Sequence, residues 1–330
     1  MADYYKIVID TEGSDAGAEM MIKGASDALS AYPSLAVLLV GNEQIIRREC
    51  ERLGMPMDRV EILGATEVIT NYDSPSVALF QKTDSSLVRA LEALSEREDL
   101  VGMINAGSTG ALLAGSVRYL STEDRTRPAL AAVLPAAGGG FTCLVDTGAT
   151  IDCTPAMLVH FARLGSDFMK KYHAIENPRV GLLSNGAEPT KGNKVVKETH
   201  ALLKEEKTLN FVGNVEGTGA LMGLCDVLVC DGFAGNQVLK VSEGIAKRII
   251  TDLVKYSKKT GDEGVMKAVG YLMGIYDFNS LGGGLILGAR KNVIKAHGAA
   301  NEKTIVSVAG MLLRFAENKE QYDTRALNID

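Results

Sequence analysis

The stretch from Arg179 to His200 combines a lysine, asparagines and glycines in an order that suits phosphate binding. An apolar run at 180–183 predicts a buried strand, and a helix is predicted to begin at about Asn193. Backbone N–H groups are unpaired at a helix start, and the helix dipole favours an anion there. Lys191 adds a full positive charge, and Asn193 can cap the helix and also contact a ligand. Taken alone, the stretch also fits an ordinary strand-to-helix connection with a solvated lysine.

Three further predicted strands end in loops of the same design, each followed by a predicted helix. These loops are Asp10–Asp15, Asn105–Gly110 and Asp231–Asn236. Ligands of open α/β sheets bind at the carboxyl ends of the strands, so the four loops together predict an anion site with N–H donors on several sides. The alternative for each loop is turn chemistry alone, with glycine for positive φ and Asp, Asn or Ser as caps.

The elements that position these loops alternate between strand and helix, which predicts an α/β fold with a mainly parallel sheet. The apolar runs 129–134 and 141–145 are joined through glycines and predict a hairpin. Ser74-Pro75-Ser76 is predicted to break the chain, and Gly282-Gly283-Gly284 is predicted to allow close packing. Because no Ser/Pro-rich linker divides the chain, residues 1–330 are predicted to be a single catalytic unit, with two interleaved lobes as the alternative.

Residues 242–280 are predicted to form a helical hairpin that projects from this unit. A polar link at 258–264 separates a long helix from a second helix, in which Val265, Val269 and Leu272 recur at helical spacing. This apolar face predicts either a dimer or core contact, or a surface that touches lipid or a carrier protein.

Composition and missing motifs exclude several classes of protein. The net charge of −6 argues against general nucleic-acid binding, which requires a basic face. The sequence contains no dinucleotide or P-loop glycine motif, no GxSxG motif and no zinc or calcium ligand spacing, so neither a cofactor nor a metal is predicted. Five scattered cysteines without a CxxC pair predict reduced thiols in a cytoplasmic protein, and no apolar run is long enough to span a bilayer.

Several stretches, in one order over nearly the whole chain, resemble the bacterial phosphate acyltransferases, the acyl-acyl-carrier-protein:phosphate acyltransferases of phospholipid synthesis. The stretches that carry the resemblance are Asn105–Leu112, Arg127–Leu130, Leu144–Ala149, Arg179–Leu183, Lys191–Asn193, Phe211–Glu216, Cys230–Asn236 and Val293–Gly298. The resemblance implies a three-layer α/β/α fold like that of phosphotransacetylases and isocitrate/isopropylmalate dehydrogenases. It also implies a homodimer with peripheral membrane contact, which transfers a long fatty acyl group from acyl carrier protein to inorganic phosphate.

This reaction requires positioning more than acid–base chemistry, because phosphate is already ionised and a thiolate, whose acid has a pKa of about 8.5, leaves easily. Either His297 or Lys191 is expected to protonate the leaving thiolate, with a structural histidine as the alternative for His297. The predicted catalytic residues are Lys191, Asn193, His297, Asp231 and Asn236. The predicted phosphate- and oxyanion-binding residues are Asp10, Gly13, Ser14, Asn105, Ser108, Thr109, Gly192 and Gly232.

The first loop departs from the family pattern, which usually reads Asp-Ala-Met-Gly-Gly-Asp-His. Here Glu12 is new, Ser14 replaces the second glycine, and Ala16 replaces the histidine. A glutamate beside phosphate would repel it unless the carboxylate points away. Three other functions remain open: a phosphotransacetylase-like enzyme that uses acyl-CoA, an NAD-dependent dehydrogenase of related fold, and a non-catalytic relative that binds acyl carrier protein.

Overall fold

The computed structural model describes residues 4–121, 127–276, 283–298 and 300–317. These residues divide into two compact units. The first contains the described residues up to Pro128 together with those from 283 to 317, and the second contains residues 129–276. The chain therefore leaves the first unit, builds the second, and returns to finish the first.

Eleven strands and eleven helices are assigned within the described residues. In chain order they are β1 (Tyr5–Asp10), α1 (Ala18–Ala31), β2 (Leu35–Gly41), α2 (Glu43–Leu53), β3 (Val60–Gly64), α3 (Pro75–Gln81), α4 (Ser86–Glu96), β4 (Leu100–Asn105), α5 (Thr109–Tyr119), β5 (Ala129–Ala136), β6 (Gly140–Val145), α6 (Pro155–His173), β7 (Arg179–Leu183), α7 (Lys194–Glu205), β8 (Asn210–Val215), α8 (Gly219–Met222), β9 (Val227–Val229), α9 (Gly232–Thr260), α10 (Glu263–Ile275), β10 (Gly284–Leu287), β11 (Asn292–Lys295) and α11 (Glu302–Ala316).

The sheet of the first unit has the strand order β3-β2-β1-β4-β11-β10. All neighbours are parallel except β10, which runs antiparallel to β11. The fully buried strand β2, LAVLLVG, is the continuous apolar run expected of a strand covered on both faces. Asn105 pairs with Lys295, and Ile9 pairs with Ile104, so the carboxyl ends of β1, β4 and β11 lie side by side.

The sheet of the second unit has the strand order β5-β6-β9-β7-β8. Strands β5 and β6 form the predicted antiparallel hairpin, and the other neighbours are parallel. Helices α6 and α7 pack together against this sheet, while α8 and α9 cover a separate cluster of buried residues that includes Leu144, Leu228 and Cys230. Helices cover both faces, as in a three-layer α/β/α arrangement with a mainly parallel sheet.

The same layering holds in the first unit. Helix α1 packs on α11, and α4 packs on α5. Right-handed crossovers place α1 and α4 on opposite faces, because β1-α1-β2 and β3-α4-β4 progress in opposite directions along the sheet. The contact between α1 and α11 is close, since a Cβ on Gly24 would lie 2.6 Å from Cβ of Ile305.

The structure corrects the prediction for Ser74-Pro75-Ser76 and adds a strand, β10, that was not predicted. Ser74-Pro75-Ser76 does not only break the chain, because Pro75 begins the short helix α3 from the first helical position, where its missing N–H costs nothing. Strand β10 was not predicted, because its Gly-Leu-Ile-Leu sequence is short and follows glycines. Gly283 fits the predicted close packing, since a Cβ there would collide with the Lys295 carbonyl, whereas Gly282 lies outside the described residues.

Helices α9 and α10 form an antiparallel pair joined at Gly261, which adopts a left-handed φ of 72°. Val269 is buried, whereas Met266, Tyr271 and Met273 of α10 are exposed. The hairpin predicted for 242–280 falls on this pair, and residues 277–280 of it lie outside the described residues. Across the described ranges, we find no helix that combines the length and the hydropathy needed to cross a membrane.

The start of α9 is packed so tightly that only glycine fits at position 235. A Cβ on Gly235 would collide with the carbonyl oxygen of Asp146 and lie 2.8 Å from Sγ of Cys230. We expect Gly235→Ala to lower the free energy of unfolding by about 1–3 kcal/mol, because the backbone must shift to relieve the overlap. Chemical denaturation measures this loss.

Gly244 of the same helix supplies the matched control. It is exposed, and a Cβ there would meet no atom within 4 Å. Gly244→Ala should therefore stabilise the protein by about 0.5–1 kcal/mol, because alanine loses less backbone entropy in a helix. Equal effects of the two substitutions would contradict the packing argument.

Candidate active-site loops

The loop after β1 is held by the carboxylate of Asp10, which is buried beside Asn105. Asp10 Oδ2 accepts a 2.7 Å hydrogen bond from Asn105 Nδ2, and Asp10 Oδ1 accepts one from the Glu12 N–H at 3.1 Å. The structure thus brings together two of the predicted residues, Asp10 and Asn105. Both lie at adjacent carboxyl ends of parallel strands, as the sequence predicted.

Two glycines allow the first and second predicted loops of the chain, Asp10–Asp15 and Asn105–Gly110, to touch. A Cβ on Gly13, whose φ is +77°, would lie 3.0 Å from Cα of Gly107. Asn105 Oδ1 accepts the Gly107 N–H at 3.0 Å and fixes the turn before α5. Ser108 is buried and caps α5, and Thr109 is the half-buried first residue of that helix.

Ser14 and Glu12 of the first loop each accept a hydrogen bond from a different backbone N–H group. Ser14 Oγ accepts the Ala16 N–H at 3.3 Å and closes a local turn. Glu12 Oε1 accepts the Asn42 N–H at 3.1 Å, directly before α2. The carboxylate of Glu12 is therefore directed at the start of α2, where the helix dipole favours a negative charge.

His297 lies two residues after the end of β11 and is exposed, and its carbonyl accepts the Ala300 N–H at 2.9 Å. The neighbouring Gly298 carbonyl accepts the Asp15 N–H at 3.2 Å. This bond joins the His297 loop to the end of the first loop. The first unit thus brings together candidates from three strand ends.

Burial raises the pKa of Asp10 to about 6, and hydrogen bonds from Ser86, the Glu12 N–H and Asn105 only partly offset this effect. Because the pKa is higher in the folded than in the unfolded chain, the folded protein binds more protons between about pH 4 and 6. The free energy of unfolding therefore falls as the pH rises through this window. Asp10→Asn removes the titration, so the variant should gain about 1–1.5 kcal/mol relative to wild type between pH 5 and pH 8.

Denaturant unfolding of both proteins at the two pH values measures this gain. Asp15→Asn serves as a control, because Asp15 is an exposed carboxylate of the same loop. A difference between Asp10→Asn and wild type that is the same at both pH values would show that Asp10 does not titrate as described.

In the second unit, the Lys191–Asn193 turn leads into α7. Asn185 Oδ1 accepts the Gly192 N–H at 2.8 Å, and Asn193 Oδ1 accepts the Val196 N–H at 2.9 Å as the N-cap. Gly192 has a φ of +98°, and a Cβ there would lie 2.7 Å from Cβ of Val196, so glycine is required.

Lys191 is exposed, and none of the ion pairs found among the described residues involves it. Its side-chain carbons lie along Gly186, because a Cβ on Gly186 would be 2.8 Å from Lys191 Cγ. The side-chain stem of Lys191 is thus packed beside Gly186, three residues before α7 begins at Lys194.

The loop before α9 places Asp231 as the N-cap, with Oδ1 accepting the Ala234 N–H at 2.7 Å. Gly232 gives its N–H to the Thr150 carbonyl at 2.8 Å, and a Cβ on it would lie 2.8 Å from Asp146 Oδ2. The structure therefore uses Gly232 for close packing. Asn236 is half-buried in the first turns of α9.

The starts of α7 and α9 converge on one cavity of about 480 Å³. The residues that line it are Leu158, Leu182, Leu183, Ser184, Asn185, Gly192, Asn193, Val195, Val196, Cys230, Asp231 and Ala234. Three predicted residues, Gly192, Asn193 and Asp231, thus share a cavity that is otherwise mainly apolar. Lys191 directly precedes the lining residue Gly192.

Asp146 fixes the loop that packs against the start of α9. This structural role was not predicted from the sequence. Its carboxylate is fully buried and accepts backbone N–H groups from Leu130, Gly148, Ala149 and Thr150 at 2.6–3.3 Å. Burial raises the pKa of Asp146, and these four bonds oppose the rise. The loop that Asp146 holds packs directly against Gly232 and Gly235.

Possible metal ligands and the thiols can be located in the part of the chain that the structure describes. Within it, no group of three His, Cys, Asp or Glu side chains could hold a metal ion. All five cysteines are buried and none is in a disulfide, and burial raises the pKa of Cys143 and of Cys225 to about 12. The Cys143 and Cys225 thiols are consequently protonated at neutral pH and act as small apolar side chains.

A family model described as fatty acid synthesis protein matches residues 5–316. The chain is 40% identical over 311 residues to the phosphate acyltransferase of Halothermothrix orenii, covering 91% of each protein. The corresponding protein of Thermoanaerobacter pseudethanolicus is 39% identical over 320 residues, covering 95% of this chain and 94% of the relative. The chain belongs to the phosphate acyltransferase family.

Solved structures of phosphotransacetylases share the fold of this phosphate acyltransferase family member. The enzyme from Streptococcus pyogenes aligns with a TM-score of 0.63 at 15% identity, covering 97% of this chain and 96% of the other. EutD phosphotransacetylase from Staphylococcus aureus aligns with a TM-score of 0.61 at 14% identity, covering 96% and 95%. At such low identity the likeness concerns the fold, which agrees with the predicted three-layer α/β/α class.

Proposed function

We propose that this protein transfers a long-chain fatty acyl group from acyl carrier protein to inorganic phosphate, giving acyl phosphate for phospholipid synthesis. The observation that carries this proposal is the cavity of the second unit, in which apolar walls meet the N-termini of α7 and α9. An acyl phosphate consists of an alkyl chain, which matches the apolar walls, and an anionic head group, which matches the two helix N-termini. Membership of the phosphate acyltransferase family supports the same chemistry.

In this reaction a phosphate oxygen attacks the thioester carbonyl carbon, and a tetrahedral oxyanion forms. The C–S bond then breaks, the thiolate takes a proton, and acyl phosphate remains. We assign Lys191 and the N–H groups near Gly192 and Asn193 to phosphate, because an anion is favoured at the start of α7. The charge of Lys191 stabilises the same anion.

Asp231 holds the start of α9, and Asn236 lies one turn further along that helix. In the first unit, Ser108 and Thr109 have hydroxyl groups at the start of α5. Their predicted role as donors to phosphate or the oxyanion, and the choice of His297 or Lys191 as proton donor to the leaving thiolate, stay predictions from the sequence. The buried pair Asp10 and Asn105 positions the loops that contain these donors.

The test is phosphate-dependent thiol release from defined donors. Palmitoyl-acyl carrier protein and palmitoyl-CoA are each incubated with the protein, with and without phosphate, and free thiol and acyl phosphate are measured. We expect release from the carrier-protein donor only when phosphate is present. Release from acyl-CoA alone would identify a phosphotransacetylase-like enzyme, and release from neither donor would refute the enzymatic proposal.

We also propose that the protein is a cytoplasmic homodimer with peripheral membrane contact through α10. The exposed side chains Met266 and Met273 support this contact, because they lie two turns apart on the same face of α10, in a helix that follows the lysines at the end of α9. Met266→Asp plus Met273→Asp should reduce flotation with anionic liposomes without changing the dimer mass in light scattering. Equal flotation of variant and wild type would refute membrane contact through this helix.

A further inference from the structure

The walls of the second-unit cavity come from four elements and are mainly aliphatic. Leu158 of α6 and Leu182 of β7 are buried at its inner side, and Val195, Val196 and Ala234 complete the wall from α7 and α9. None of the lining residues is aromatic or basic. A cavity of about 480 Å³ lies within the range of small-molecule sites, and this lining suits an alkyl chain better than a base or a sugar.

Ser184 is the polar residue of the cavity that needs an explanation. Its backbone N–H donates to the Val215 carbonyl at 3.0 Å, but its buried Oγ has no hydrogen-bond partner among the described residues. A Cβ built on Gly192 would lie 3.3 Å from this oxygen, so the hydroxyl lies beside the Gly192 turn. Leaving a buried hydroxyl unpaired is costly, which suggests that a ligand atom completes its hydrogen bonding.

We propose that this cavity is the acyl subsite, and that the Ser184 hydroxyl donates a hydrogen bond to the acyl carbonyl oxygen. This inference rests on the proposed function and names the part of the site that holds the acyl group. The aliphatic walls take the alkyl chain, while Ser184 and the start of α7 lie at the polar end where the carbonyl and phosphate meet. Ser184 keeps its proton throughout, so it is a hydrogen-bond donor and not a nucleophile.

The first test removes the hydroxyl. Ser184→Ala should lower kcat with palmitoyl-acyl carrier protein by about 10- to 100-fold, because a donor to the developing oxyanion is lost. Its melting temperature should stay the same or rise, because an unpaired buried polar group disappears. Ser184→Thr retains the hydroxyl and should recover most of kcat.

Thr199→Val is the matched control for a buried hydroxyl. Thr199 is buried in α7, but its Oγ1 already donates to the Val195 carbonyl at 2.8 Å. The control should lower the melting temperature slightly and leave kcat within about twofold. If Ser184→Ala kept wild-type kcat, the donor role of Ser184 would be wrong, whether or not its melting temperature fell as that of Thr199→Val does.

The second test narrows the cavity. Val195→Phe adds volume at a half-buried wall position, whereas Leu202→Phe adds the same ring type at an exposed position of the same helix. Val195→Phe should reduce kcat/KM for the palmitoyl donor by about 10-fold or more and reduce it less for the butyryl donor, because a shorter chain occupies less of the cavity. Leu202→Phe should leave the ratio of the two donors unchanged, and an unchanged ratio in a folded Val195→Phe protein would overturn the subsite.

A direct binding measurement separates this inference from the proposed function. Calorimetric titration with palmitate should show binding to wild type and at least about 10-fold weaker binding to Val195→Phe. If no donor supports phosphate-dependent thiol release, the proposed function fails, yet the titration still decides the cavity. Equal palmitate affinity of wild type and Val195→Phe would overturn the acyl subsite even if the enzyme were active.

Discussion

Replacing Lys191 by alanine is expected to lower kcat/KM for phosphate by roughly 10- to 150-fold. Lys191 lies three residues before the start of α7 and has no ion-pair partner among the described residues, so its charge is available to a bound anion. Charged hydrogen bonds of this kind are worth about 1.5–3 kcal/mol, which corresponds to the expected range. The loss should be larger if Lys191 also assists the departing thiolate.

The melting temperature of Lys191→Ala should barely change, because the side chain is exposed. Lys204→Ala is the control for net charge, since Lys204 is an exposed lysine at the far end of α7. Lys191→Arg, which keeps the charge, should retain more activity than Lys191→Ala. A folded Lys191→Ala protein with wild-type kcat/KM for phosphate would rule out this loop as the phosphate site.

Asp146→Ala is expected to cost about 4 kcal/mol or more in the free energy of unfolding. The substitution leaves four backbone N–H groups without their acceptor, those of Leu130 and Thr150 buried and those of Gly148 and Ala149 half-buried. Each unsatisfied buried group costs about 1–3 kcal/mol. Water that enters the space will recover part of this loss. The remaining effect still exceeds that of most single substitutions.

Asp152→Ala is the matched control, because Asp152 is an exposed carboxylate of the same loop region. It should change the free energy of unfolding by less than about 0.5 kcal/mol. Asp146→Asn keeps one acceptor oxygen and should lose less stability than Asp146→Ala, so the effect stays measurable even if the alanine variant does not fold. Equal stability of Asp146→Ala and Asp152→Ala would contradict the role given to Asp146.

Sequence patterns predicted the fold well where burial and turn chemistry act locally. The uninterrupted apolar strand β2 and the glycine-joined hairpin of β5 and β6 could both be recognised from composition alone. The contact between Asp10 and Asn105 followed from one rule, that parallel strands end at the same edge of a sheet. Motif and strand order were sufficient in these cases.

The remaining features depend on distant partners that no local pattern contains. The direction of the Glu12 carboxylate is decided by the N–H of Asn42 before α2. The environment of Asp146 is decided by four N–H groups, one from strand β5 and three from the loop after β6. Ser184 looks like an ordinary turn residue until the cavity beside it is known. Strand β10 was missed because its pairing with β11, and not its composition, makes it a strand.

The order in which the chain builds its two units affects how the protein is made on the ribosome. Strand β11 pairs with β4, and α11 packs on α1, yet both are synthesised only after the whole second unit. Until then, the edge of β4 and the apolar face of α1 have no cover from these two elements. An open strand edge of this kind promotes association between nascent chains, so a message truncated before β11 should yield insoluble protein rather than a functional first unit.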